Sequence, residues 1–184
     1  MSLRTVRASL AAERADVLHE ARLLLLLRSE SCRRGCEIDG ITKLAKMDFL
    51  LRYPVYLERV LQRTRKKPPA VEMQPYERDT VESRMIRFRY GPWDPRYRRW
   101  IGILVAKGLA GTRVEGRTVY VRLTDRGSAA ASQLAGAKDL QDFGLRCDVI
   151  SKCVGGMSGS RLKDLIYEVV PELTGLQWGE EIPT

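Results

Sequence analysis

The sequence predicts a mainly helical fold carrying one small β-hairpin, and three features lead to that expectation. Residues 9–29 are rich in Ala, Leu, Glu and Arg with no Gly or Pro, a composition of high helix propensity. Apolar residues recur at i, i+3, i+4, i+7 and i+8 in Leu162, Leu165, Ile166, Val169 and Val170, the stripe of an amphipathic helix. Between them, residues 85–125 read as a Pro-punctuated corner, an amphipathic helix, a β-hairpin and a helix cap. That order is the second half of a winged helix. The expected organisation is a winged helix-turn-helix domain over residues 1–126, with a linker or insertion at about 64–76, and a helical C-terminal extension over 127–184.

The totals fit a folded, basic protein. At 184 residues the chain is long enough for one ordinary domain or a domain with an appendage, and its 44% apolar and 30% charged residues are globular proportions. A net charge of +9 and a pI near 9.6 favour an anionic partner, nucleic acid first and an anionic protein or membrane surface second. Residues 85–125 hold nine basic residues against three carboxylates, so about +6 of the +9 is concentrated there. The apolar run at residues 23–27 is flanked by Arg22 and Arg28 and falls far short of the roughly 20 residues that span a bilayer. With no secretory signal visible, a soluble cytoplasmic protein without a membrane partner is expected. Structural zinc sites usually repeat a close C-x2-4-C pair; Cys32 and Cys36 have three residues between them, but Cys147 and Cys153 have five, which is loose, so reduced thiols are expected and no metal or cofactor.

In chain order, the five leucines of residues 23–27 cover every face of the first helix. Either that helix is buried on nearly all sides or it docks a second chain. Leu23, Leu24, Leu26 and Leu27 are therefore candidates for a partner or dimer surface. His19, the chain's one histidine, reads as structural or solvent-facing. Asp39 is a plausible N-cap for a short helix whose apolar face is Ile41, Leu44, Ala45, Phe49 and Leu51. Tyr53 before Pro54 should end it, and Pro54 suits the first turn of the next helix, where Leu57, Val60 and Leu61 share a face. Two short helices around a tight corner resemble a helix-turn-helix. Residues 64–75 read as a basic, Pro-rich linker with Arg63, Arg65, Lys66 and Lys67 in reach of phosphate or solvent.

Residues 76–90 are ambiguous. Val81, Met85 and Phe88 suit a helix, whereas Ile86 to Tyr90 alternate like a strand; leading acids and trailing arginines favour the helix. GPWDP forces a corner with Trp93 packed beneath it. Asp94 or Pro95 opens a helix with Tyr97, Trp100, Ile101, Leu104 and Val105 on one side, ended by Gly108. The wing follows, with Glu115-Gly116 as its turn and Val119, Val121 and Leu123 opposed to Thr118, Tyr120 and Arg122. Candidate contacts to a DNA backbone are Arg87, Arg89, Arg96, Arg99, Arg113, Arg117, Tyr120 and Arg122, although the wing is equally an ordinary amphipathic hairpin. Thr124 caps a long helical stretch with breaks near Gly136 and Gly144, and Ser158 or Ser160 caps the last helix, which Pro171 ends. On that helix Leu162, Leu165, Ile166 and Val169 are further partner-interface candidates. Trp178 needs a surface to lie on. A lone histidine and no phosphate loop or metal signature leave nothing from which to assemble an active site, so no enzyme is expected.

The segments GITKLAKMDFLLRYPVYLERVL and VESRMIRFRYGPWDPRYRRWIGILVAKGLA resemble the middle components of bacterial ABC-three-component systems, which overlap the Lamassu antiphage defence family. The similarity covers roughly residues 38–123; its most specific pieces are TKLAKMDFLLRYP and RYGPWD. The wing ending LTDRG is generic to MarR-like regulators. The resemblance implies a non-catalytic winged-helix accessory subunit that sits on an SMC- or Rad50-like ATPase beside an effector nuclease, helps sense foreign double-stranded DNA and controls the effector. It assigns no catalytic residue. The alternative is a free-standing MarR-like transcriptional regulator acting as a homodimer on a palindromic operator.

Overall fold

The computed structural model describes residues 3–34, 37–65 and 84–183, with side chains from 16–31 in the first of these stretches. It is mainly helical with a small antiparallel sheet. Helix α1 (Leu3–Arg34) leads to a two-residue strand β1 (Ile38–Asp39), then α2 (Ile41–Arg52) and α3 (Pro54–Thr64). A short hairpin, β2 (Ile86–Phe88) and β3 (Gly91–Trp93), precedes α4 (Tyr97–Ala106). A longer hairpin, β4 (Ala110–Glu115) and β5 (Thr118–Leu123), precedes α5 (Asp125–Gly136), a 3-10 turn at Lys138–Leu140, α6 (Gln141–Val154), α7 (Gly159–Val169) and α8 (Glu172–Gly175). Strand β1 crosses over to pair with β5 at Ile38–Val121, giving a three-stranded antiparallel order β1-β5-β4. Among the described residues no helix is long and apolar enough to cross a membrane.

Helix α1 is the axis of the molecule, with α2, α4, α5, α6 and β5 packed around it. Leu23, Leu24, Leu26 and Leu27 are at most 4% exposed. This corrects the docking-surface expectation for them: neighbours on every side leave the leucine run no free face. Leu162 and Ile166 of α7 are likewise core, and Leu165 and Val169 are partly buried against it. The core runs unbroken from α1 and α2 through Cys147, Ile150 and Val154 to α7, across the position where an extension was expected to begin. Cys147 and Cys153 are buried, Cys153 Sγ lies 3.3 Å from the Thr64 hydroxyl, and burial pushes the Cys147 thiol well up. Cys36 and the Cys32 side chain lie outside the described residues.

Local signals set several boundaries. Pro54 opens α3. The Thr124 hydroxyl accepts from the Gly127 amide at 3.0 Å, and the Ser158 hydroxyl accepts from the Arg161 amide at 3.2 Å. Asp39 caps nothing. It lies in β1 and pairs with Lys43 at 2.5 Å, while Gly40, with φ of 110°, precedes α2. Gly136 ends α5 as expected, but Gly144 lies inside α6, where a Cβ would meet Ala135 of α5 at an ordinary contact distance of 3.7 Å.

The helix expected over residues 76–90 is overturned in its described part, where residues 86–88 form β2; residues 76–83 lie outside the described residues. The chain's C-terminal segment decides the matter. The Arg87 amide donates to the Glu180 carbonyl, the Gly179 amide to Arg87, and the Ile182 amide to Met85, each at 2.8 Å. Charges near helix ends are worth about 0.3–1 kcal/mol. Three non-local backbone bonds at about 1 kcal/mol each, together with the buried Ile182, outweigh them.

Candidate nucleic-acid interface

The position of α4 follows from a buried ionic cluster. Asp48 and Arg52 lie one turn apart on α2, and both are almost fully buried. Asp48 Oδ2 accepts from Arg52 Nε at 2.8 Å and from the Tyr97 hydroxyl at 2.5 Å. Arg52 Nη1 donates to Asp94 Oδ2 at 3.1 Å, and Arg22 of α1 approaches Asp48 at 3.7 Å. One carboxylate thus binds α1, α2 and α4 together. Asp94 also accepts from the Arg96 amide at 3.0 Å and, through its carbonyl, from the Tyr97 amide at 3.2 Å, so the corner before α4 is fixed from both sides. Despite its burial, the Asp94 carboxyl is held down to about 2 by bonds from Arg96 and the charge of Arg52. Asp48 is likewise held below the usual carboxylate range by Arg52 and Arg22, against its own desolvation.

With Tyr97, Trp100, Ile101 and Leu104 buried, α4 turns Arg98, Arg99, Gly102 and Val105 outwards. Val105 therefore leaves the apolar side on which its spacing had placed it. Gly108, at φ of 68°, ends the helix and delivers the chain into β4. The hairpin turn falls one residue later than expected. Glu115 still pairs with Thr118, and Gly116-Arg117 form the turn. Gly116 alone has positive φ, at 58°, which suits a two-residue loop with glycine first.

The structure divides the candidate DNA contacts. Arg117 and Arg122 are exposed on the β4–β5 hairpin and have no ion pair among the described residues; Arg98, which the sequence reading left out of its set, joins them from α4. Arg113 is instead held by Glu37 at 2.8 Å and Glu115 at 2.5 Å, with its guanidinium 4.0 Å from the Tyr120 ring centre. The Arg113 hydrogen bond keeps Glu37 below its ordinary value. Arg99 pairs with Asp16 at 2.8 Å and Arg96 with Asp94 at 2.8 Å. Arg96, Arg99 and Arg113 thus each carry a carboxylate partner while keeping 41%, 64% and 48% of their side chains exposed. The Arg87 guanidinium donates to the Leu176 carbonyl of the C-terminal segment. Arg89 is exposed beside Tyr90 on the short hairpin. Of the loop cations, Arg63 pairs with Glu168 at 2.5 Å, Arg65 is exposed, and Lys66 and Lys67 lie outside the described residues.

The cluster that positions α4 escaped the sequence reading. Its one local signal is an Asp48–Arg52 pair at i, i+4 inside the apolar run MDFLLR. No family model, characterised protein or solved structure matches the chain.

Proposed function

We propose that the chain is a non-catalytic winged-helix subunit that holds the backbone of double-stranded DNA across α4 and the β4–β5 wing. The observation that carries this reading is the order of the small sheet. A strand between the first two helices closes on a hairpin that follows directly from a helix whose outward side is Arg98, Arg99 and Gly102. Arg98, Arg117 and Arg122 supply charge without base-reading amides beside them, which favours phosphate contact over sequence readout. The resemblance of TKLAKMDFLLRYP and RYGPWD to ABC-three-component middle components supports placing this subunit on an SMC-like ATPase next to an effector, in antiphage defence.

The DNA half is tested by titrating a 30-base-pair duplex over a range of salt. Log affinity should fall with log salt by about 0.9 per phosphate contacted. Replacing Arg98, Arg117 and Arg122 together with Ala should weaken all duplexes alike and reduce that slope by about 2–3. An unchanged slope would remove the contact from this face. A strong preference for one palindromic sequence would favour the regulator alternative. The assembly half is tested by co-expression with an adjacent-gene ATPase, and failure to co-purify at gentle salt would sink it.

A further inference from the structure

A cleft of about 140 Å³ opens between the short β2–β3 hairpin and the start of α4, lined by Thr42, Phe88, Tyr90, Pro92, Trp93 and Arg98. Two of its aromatic rings are unusually open to solvent: Phe88 is 43% exposed and Tyr90 is 52% exposed. Phe88 and Trp93 lie 30° from parallel with centroids 6.4 Å apart, at the far end of ring-contact range, so neither fully covers the other. Cations surround these rings. Arg98 lines the cleft, and the Arg89 guanidinium sits 5.5 Å from the centre of the Tyr90 ring.

Behind the cleft wall the charge is again positive. A side chain at Gly91 would begin 3.4 Å from Lys46 Cε and 3.9 Å from Lys163 Cγ. Lys46 is 2% exposed, and its ammonium donates to the Thr42 carbonyl at 3.3 Å, its one acceptor among the described residues. Burial, and then the charge of Lys163, lower its pKa to about 8. Asp164, 3.5 Å from Lys163, offsets part of this. The nearby carboxylates of the C-terminal segment are engaged elsewhere, Glu181 with Arg84 at 3.3 Å and Glu180 with the Gln177 amide. Exposed aromatic rings flanked by the Arg98 and Arg89 guanidinium groups suit a ligand that is flat and anionic at once.

We propose that this cleft binds an unpaired base of single-stranded nucleic acid, stacked on Phe88 and Tyr90, with Arg98 and Arg89 taking the flanking phosphates. Base–aromatic stacking with cationic tracking of the backbone is the general chemistry of such sites. The inference goes beyond duplex binding and stands without it, because the cleft uses different residues apart from Arg98.

The test is fluorescence anisotropy of a labelled 15-mer of thymidylate and of a labelled duplex, with the whole chain at low salt. The Phe88→Ala, Tyr90→Ala double variant should bind the 15-mer about 10–100-fold more weakly, as loss of stacking predicts, while its duplex affinity stays within about twofold. The Phe88→Tyr, Tyr90→Phe variant keeps both π-faces and should bind like the parent chain. Both rings are well exposed, so thermal melts of the variants should match the parent. Replacing Arg117 and Arg122 should leave the 15-mer bound, which separates failure of this proposal from failure of the duplex reading. No binding of the 15-mer by the parent chain would overturn it, as would undiminished binding by the double Ala variant. Loss of protein-partner capture with unchanged 15-mer affinity would also overturn it and make the cleft a protein-docking surface.

Discussion

His19 lies against Trp100 with ring centroids 4.1 Å apart, and Arg22 donates to its Nδ1. Trp100 in turn donates its indole N–H to Asp16 at 2.7 Å, so the imidazole is enclosed by groups with roles of their own. Burial first, and the Arg22 charge second, lower its pKa from 6.5 to about 3. The folded protein therefore carries a neutral His19, whereas the unfolded chain takes up a proton below pH 6.5. Stability from this site is complete above pH 6.5 and is lost as the pH falls towards 3. That window opens above the ordinary carboxylate range and above the one for Asp94, whose contribution is lost only as pH falls from 3.8 towards 2. Urea unfolding should show a loss of about 2 kcal/mol between pH 6.5 and pH 5. His19→Gln, which keeps an acceptor for Arg22, should flatten the curve there; an unaltered slope would place the titration at another group.

At the level of elements, the last stretch of chain behaves as a buckle. Ile182 is fully buried, its amide donates to Met85, and its carbonyl accepts from the Tyr53 hydroxyl at 3.3 Å. The Tyr56 hydroxyl donates to Pro183 at 3.0 Å, so both tyrosines of the α2–α3 corner hold this segment against β2. Ile182→Ala should cost about 2–5 kcal/mol in chemical unfolding, because it removes apolar contact and leaves a cavity behind β2. Trp178, which the sequence suggested would need a surface, is 66% exposed, and Trp178→Ala should change stability by under about 0.5 kcal/mol. A larger effect at Trp178 than at Ile182 would contradict this assignment of the anchor. Element signals that act within one turn, such as the Thr124 and Ser158 caps and the stripe on α7, were legible because both partners lie within a few residues. Strand β2 was not, since its backbone partners come from residues 179–182.

For the whole molecule, α5 and α6 share one hydrophobic core with α1, so residues on both sides of position 126 cover each other. A fragment of residues 1–126 would expose the leucines of α1 where α5 and α6 now cover them. It should lack the dispersed amide spectrum and cooperative thermal transition of the full chain, and a fragment that melts cooperatively would overturn this view of the core. The same arrangement explains the charge pattern. Arginines that looked equivalent in the list of residues are sorted by where the packing puts carboxylates: Arg96, Arg99 and Arg113 are paired at the surface, while Arg98, Arg117 and Arg122 are exposed with no ion pair among the described residues.

By itself the sequence determined the helical class, the β4–β5 hairpin and the Thr124 and Ser158 caps, which depend on neighbours within a turn or across a short loop, and the concentration of positive charge in residues 85–125. Tertiary structure alone decided three things. It made the leucine run core rather than contact surface, joined Asp48, Arg52 and Asp94 across 42 residues of chain, and gave Arg96, Arg99 and Arg113 their carboxylate partners. The reason is physical: burial and ion pairing depend on which distant groups surround a side chain, and no local spacing encodes that.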